Sequence, residues 1–191
     1  SNFDIYLVEP RAGATERRLT TFDGSDNDPD LESPISWSPD GRQIAFVQGG
    51  EDKWIYYAPH QLAIVDVATG RTRLPAPIDR WFTQPRWSPD GRSVFALVEQ
   101  SRVINLSRID VASGKVTPLT TGPRYDAGFA VSKQGRIVVL GGNVVTPYEL
   151  AALENGGLRP LGLHNEWLAR KKLVRFDDIR FRSADGTTID G

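Results

Sequence analysis

Few side chains in this 191-residue sequence are placed to do covalent chemistry. Serine acyl transfer needs a nucleophile on a Gly-x-Ser-x-Gly strand-to-helix turn, and no such pentapeptide occurs. The two imidazoles, His60 and His164, have no serine and acid partners close by in sequence, and His60 reads as a solvated loop residue. Cysteine is absent, which excludes thiolate nucleophiles, disulfides and thiolate metal sites. Asp26-x-Asp28-x-Asp30, within the cluster Asp23, Asp26, Asp28, Asp30 and Glu32, has the alternation of a calcium loop. Leu31 stands where an EF-hand needs Gly, however, and Trp37 where it needs Glu, so the cluster reads as a solvated polar connection. No residue is therefore assigned to catalysis or metal binding, and no cofactor is expected.

What remains is recognition chemistry. Trp54, Tyr56 and Tyr57 fall in the stretch Gly49–His60, Arg80-Trp81 precedes Phe82, and Arg124-Tyr125 precedes Asp126. Aromatic rings anchor ligands, and guanidinium groups hydrogen-bond to carbonyls and carboxylates. Trp54, Tyr56, Tyr57, Arg80, Trp81, Arg124 and Tyr125 are thus the candidate peptide-binding residues. The competing reading is packing of the same rings on their own sheets.

A repeat must position these residues. Trp-Ser-Pro-Asp-Gly-Arg occurs at 37–42 and again at 87–92. Pro presets one turn torsion, Asp bonds the local backbone, and Gly takes a left-handed conformation cheaply. Apolar runs flank each copy, predicting a strand-turn-strand hairpin. A degenerate third copy reads Val131-Ser132-Lys133-Gln134-Gly135-Arg136. A second word alternates with the first: Ile64-Val65-Asp66-Val67-Ala68-Thr69-Gly70 and Ile109-Asp110-Val111-Ala112-Ser113-Gly114, with weaker relatives at 5–13 and 148–157. Each is followed by a short polar strand ending in Leu-Thr, Leu-Pro or a similar pair. Two hairpins recurring about every 44–50 residues mark the four-stranded blade of a β-propeller. The alternative is two Asp-Gly hairpins in one β-sandwich.

The expected fold is all-β: a partial propeller of about three and a half blades over residues 1–164, with an outer half blade at 3–21 and blades at 33–76, 84–121 and 127–162. The second strands (43–48, 93–99 and 136–140) are apolar on both faces, as strands sandwiched between blades must be, and Trp37 and Trp87 are expected to wedge between blades. Residues 165–172 are expected to form a short helix in a connecting segment.

Formal net charge is −1, from 23 basic and 24 acidic residues, and there is no basic stripe, so nucleic acid is not an expected partner. No apolar run reaches the roughly 18 residues that span a bilayer, and residues 1–4 lack the pattern of a signal peptide; a cytoplasmic location is expected, with the periplasm as the alternative. The sequence contains no Met, even at its start, which fits a processed product or an excised piece. The uncovered blade faces of such a piece favour self-association.

The two words together resemble the propeller of the prolyl oligopeptidase family of serine peptidases, particularly its acylaminoacyl peptidase and dipeptidyl aminopeptidase branch. In that family an Asn-containing segment leads from the last blade to a strand of the form Ile-x-Phe-x-Ser-x-Asp-Gly-x-x-Ile-x-Gly. Asn165 and then Ile179, Phe181, Ser183, Asp185, Gly186, Ile189 and Gly191 match it. The resemblance implies that residues 165–191 are a linker and the first strand of a truncated α/β-hydrolase domain. It also implies that the catalytic triad lies after Gly191, and that the propeller gates short peptides and contacts them. The blade words alone are shared with the Tol-system propeller, so a non-enzymatic propeller binding a protein partner stays open as the alternative.

Overall fold

The computed structural model describes residues 3–54, 57–100, 102–174 and 179–190. Among them there is no α-helix, and no helix long and apolar enough to cross a membrane. The strands are β1 (Tyr6–Leu7), β2 (Arg17–Arg18), β3 (Gly24–Asp26), β4 (Ser36–Trp37), β5 (Gln43–Glu51), β6 (Gln61–Asp66), β7 (Thr72–Arg73), β8 (Trp81–Trp87), β9 (Ser93–Gln100), β10 (Val103–Asp110), β11 (Val116–Pro118), β12 (Tyr125–Val131), β13 (Ile137–Asn143), β14 (Thr146–Glu154), β15 (Gly157–Pro160), β16 (Arg180–Arg182) and β17 (Thr188–Asp190).

They assemble as a partial β-propeller. β1 and β2 pair alone as the outer half of a blade. Blade 1 runs β3/β4, β5, β6, β7, with both short inner strands pairing to β5. Blade 2 is β8 to β11 and blade 3 is β12 to β15, each an antiparallel meander. The inner strands begin a little upstream of the expected blade starts: at Gly24, Trp81 and Tyr125, rather than 33, 84 and 127. A single parallel bridge, Ile104↔Tyr125, links blades 2 and 3. A separate hairpin, β16–β17, follows the propeller.

The repeated words fold as turns for a local reason. In both hexapeptides the Ser hydroxyl donates to the Asp carboxylate, Ser38 to Asp40 and Ser88 to Asp90, each at 2.6 Å. The same carboxylate accepts the N–H of Arg42 or Arg92. Gly41 (φ 71°) and Gly91 (φ 68°) then turn the chain in the left-handed region, which costs glycine little. The hairpin β16–β17 uses the same device: Ser183 donates to Asp185, whose pKa is lowered to about 2 by that hydroxyl and the Thr187 N–H. In the second word Asp66 accepts the N–H and hydroxyl of Thr69, and Asp110 does the same with Ser113.

Three apolar clusters lie between successive blades. Ile5 and Leu19 of the half blade meet Ile44, Phe46, Ala63 and Val65. Ala45, Leu62 and Ile64 of blade 1 meet Phe82, Trp87, Val94 and Ala96 of blade 2. Phe95, Leu97 and Leu106 meet Ile137 and Val139 of blade 3. β5 and β9 are buried on both faces along most of their length, but β13 is not: Leu140 is exposed, because nothing covers the far face of blade 3 among the described residues.

The expectation that both tryptophans wedge between blades holds for one. Trp87 is 8% exposed and packs on blade 1, whereas Trp37 is 46% exposed. The two hexapeptides are identical, so the difference lies in the neighbour: the half blade has only its outer strands and does not reach the innermost strand carrying Trp37. Trp87→Ala should therefore cost about 3–5 kcal/mol, and Trp37→Ala less than about 1 kcal/mol, in denaturant unfolding. Equal losses would contradict this packing.

Candidate peptide-contact site

In an antiparallel blade the connection between the second and third strands lies at the same end as the entry to the first strand. The described candidate residues accordingly gather at one end of the propeller. Trp54 and Tyr57 lie in the β5–β6 connection, Arg80 and Trp81 enter β8, and Arg124 and Tyr125 enter β12. Tyr56 lies outside the described residues. The turn words occupy the opposite end.

The β5–β6 connection folds down on blade 1 through close backbone approach. A Cβ on Gly50 would lie 2.1 Å from the Ala58 Cβ, so only glycine allows that contact. Trp54, closing a 3-10 turn at Asp52–Trp54, is 54% exposed, and Tyr57 is 82% exposed. Behind Trp54 is a cleft of about 470 Å³ between this loop and the connection into blade 2, walled by Phe22, Leu74, Pro77 and Ile78.

Trp81, 38% exposed, leans on His60 with ring centroids 4.1 Å apart at 47°. His60 is thus half-buried, not the solvated loop residue expected, because its backbone carbonyl accepts the Phe82 N–H (2.9 Å) and draws the ring onto the blade junction. Burial lowers its pKa, opposed by the nearby Asp28 carboxylate. The Arg80 guanidinium turns back to the Asp79 carbonyl. Arg124 is engaged with Asp126, its Nε and Nη2 each 2.7 Å from Oδ1, while Tyr125 beside it is half-buried.

Asp126 belongs to a device that repeats at each junction with changed chemistry. It is fully buried and also accepts the Leu106 N–H (3.0 Å) and the Thr120 hydroxyl. Thr120 in turn accepts the Leu106 N–H (2.9 Å). Six residues separate Thr120 from Asp126, and the same interval separates Thr20 from Asp26, where Thr20 accepts the Ile5 N–H (3.0 Å). Between blades 1 and 2 the pair is Ala76 and Phe82, both buried. The polar clasp is replaced there by apolar contact. The recurring Leu-Thr pair was the sequence signal for this device, but the carboxylate six residues on looked like surface charge.

Asp26 corrects the reading of its cluster as solvated. It is buried, with Gln48 Nε2 donating to Oδ1 at 2.8 Å. Gly24 stands where blade 3 has Arg124, so Asp26 lacks the guanidinium that Asp126 has two residues upstream, and burial raises its pKa. Asp28 caps the turn at Pro29–Leu31 by accepting the Asp30 N–H. Among the described residues no cluster of side chains could hold a metal ion.

The chain leaves blade 3 at this same end. Glu149 Oε1 accepts the N–H groups of His164 and Asn165 (3.0 Å each) and the Asn165 side-chain amide (3.1 Å). The short helix expected near 165–172 is a 3-10 helix, Glu166–Arg170.

Two outcomes follow from the clasps. Removing the Asp126 carboxylate strands the Arg124 guanidinium and the Thr120 hydroxyl, so Asp126→Ala should cost about 3–5 kcal/mol. Asp26 has the opposite sign. Its folded pKa is raised above the unfolded value, so the folded chain holds the proton more tightly and stability falls as pH rises from the ordinary carboxylate value through the raised one. Asp26→Asn should therefore lose little or gain stability at pH 7 and remove that decline. Denaturant midpoints at pH 4 and pH 7 check this; a variant less stable than wild type only at pH 7 would refute it.

No protein-family model matches the sequence. Over 132 residues the chain is 29% identical to dipeptidyl-peptidase 5 of Porphyromonas gingivalis, a match covering 69% of this chain and 18% of that protein. The chain thus spans about a fifth of that curated relative. Acylaminoacyl peptidase from Pyrococcus horikoshii superposes with a TM-score of 0.74 at 23% identity, covering 98% of this chain and 27% of that one. TolB from Acinetobacter baumannii superposes at 0.63 with 22% identity, covering 83% and 37%. The chain is a partial β-propeller, and in sequence and fold together it resembles the propeller portion of prolyl oligopeptidase-family peptidases.

Proposed function

We propose that this chain is the non-catalytic propeller portion of a serine peptidase, limiting access of peptides to an active site beyond it and contacting the substrate. The observation that carries the reading is the shared end of the blades: Trp54, Tyr57, Trp81 and Tyr125 lie where the Glu149-pinned segment leaves the propeller. The hairpin β16–β17 supports it, since Ile179, Phe181 and Ile189 around that hairpin are exposed, as the first strand of a further domain would leave them. The chemistry would be acyl transfer through a serine ester with an oxyanion hole, supplied by residues outside this sequence. The likeness to TolB favours the second reading, a propeller that binds a protein partner. The polypeptide carrying this chain should be labelled by a serine-directed fluorophosphonate and should cleave short peptides but not folded proteins. Absence of labelling would reject the peptidase reading.

We also propose that the isolated chain pairs with a second copy through its open blade faces. Trp37 and Ile35 are exposed at one end of the blade stack, and Leu140, Leu150 and Leu161 at the other. Successive blades already associate through such surfaces, and a head-to-tail contact between copies continues that stacking. Sedimentation should show self-association that Leu150→Lys abolishes; a monomer at high concentration would exclude it.

A further inference from the structure

The cleft of blade 1 has a composition that selects its ligand. Its walls are apolar: Phe22, Leu74, Pro77 and Ile78, closed on one side by the Trp54 ring. Its rim is acidic. Glu51 and Asp79 line it. An aromatic face beside carboxylates attracts a cation. The chain itself demonstrates this: Lys53 Nζ stands 5.9 Å from the Trp54 ring centroid while pairing with Glu51 at 2.6 Å. Asp79 has no such partner among the described residues. The Gln61 side chain lines the same cleft, and its Oε1 is buried with no hydrogen-bond partner among the described residues, while its Nε2 donates to the Arg80 carbonyl (3.1 Å).

From these features we infer that the blade 1 cleft is a subsite for an arginine side chain of an extended peptide. The three methylenes lie along Ile78, Leu74 and Phe22, the guanidinium reaches the Asp79 carboxylate beside Trp54, and a peptide N–H meets Gln61 Oε1. Long cationic side chains bury their stems in this way while the head stays at the wet rim. The inference rests on the peptide-contact reading above and deepens it by naming the residue contacted.

The test follows the Gln61 side-chain amide resonance of the chain during titration with acetyl-Ala-Arg-Ala-amide, acetyl-Ala-Glu-Ala-amide, acetyl-Ala-Leu-Ala-amide and Ala-Leu-Ala-amide. The arginine peptide should move that resonance and bind about tenfold more tightly than the glutamate peptide, combining an ion pair and a ring contact. Asp79→Asn and Trp54→Ala should each weaken it about three- to fivefold. Lys53→Ala should strengthen it, because it vacates the ring and frees Glu51. Equal affinity for the arginine and glutamate peptides, or indifference to Asp79→Asn and Trp54→Ala, overturns the subsite and leaves peptide contact elsewhere intact. A free-amine leucine peptide binding as well as the acetylated arginine peptide shows that the site reads the α-amine, which also overturns it. Failure of every peptide to bind overturns both readings.

Discussion

A four-stranded blade is stable only with both faces dry. Each blade is an open sheet with apolar side chains on either side, and a single sheet cannot bury both. The two identical hexapeptides measure this dependence within one chain. Trp87, with a complete blade beside it, is buried; Trp37, beside two outer strands only, is exposed. The core follows the same logic. It has no central mass but is distributed among three interfaces, each built from facing rows of Val, Ile, Leu, Ala and Phe.

Stacking by apolar area is non-directional, and polar clasps supply register. Thr120 and Asp126 bind one backbone N–H of the preceding blade, with Arg124 matching the buried charge. Thr20 and Asp26 occupy the corresponding places without that arginine, and burial raises the Asp26 pKa. Ala76 and Phe82 dispense with polar groups altogether. The junctions therefore differ in cost although the blades share a plan, and the apolar one lies beside the cleft of blade 1. Arg124 shows how a residue suited to ligand recognition can instead be held by its own fold. Its guanidinium is engaged with Asp126, whereas Trp54 and Tyr57 remain open to solvent.

The division of labour between the two ends of the blades has a simple origin. Turns that close hairpins need Ser, Asp and Gly in fixed places, which leaves little room for recognition chemistry. The connections at the other end have no such requirement and vary. The β5–β6 connection is the longest of the three corresponding connections and carries the exposed aromatic residues. Glu149 anchors the outgoing segment at that end, so the variable loops and the departing chain share one surface.

Local chemistry was legible in the sequence. The turn words, the strands they join, their order and the repeat period each depend on residues a few positions apart, and the propeller follows from them. So does the placement of Trp54, Trp81 and Tyr125 at one end, because strand alternation dictates it. Burial was not legible where it depended on a neighbour distant in sequence. Identical surroundings in sequence gave Trp37 and Trp87 opposite environments, and a carboxylate in an acidic run proved to be buried at Asp26. His60 was drawn from a loop onto Trp81. In each case the deciding quantity was which blade, complete or partial, lay against the residue, and only packing in three dimensions sets that.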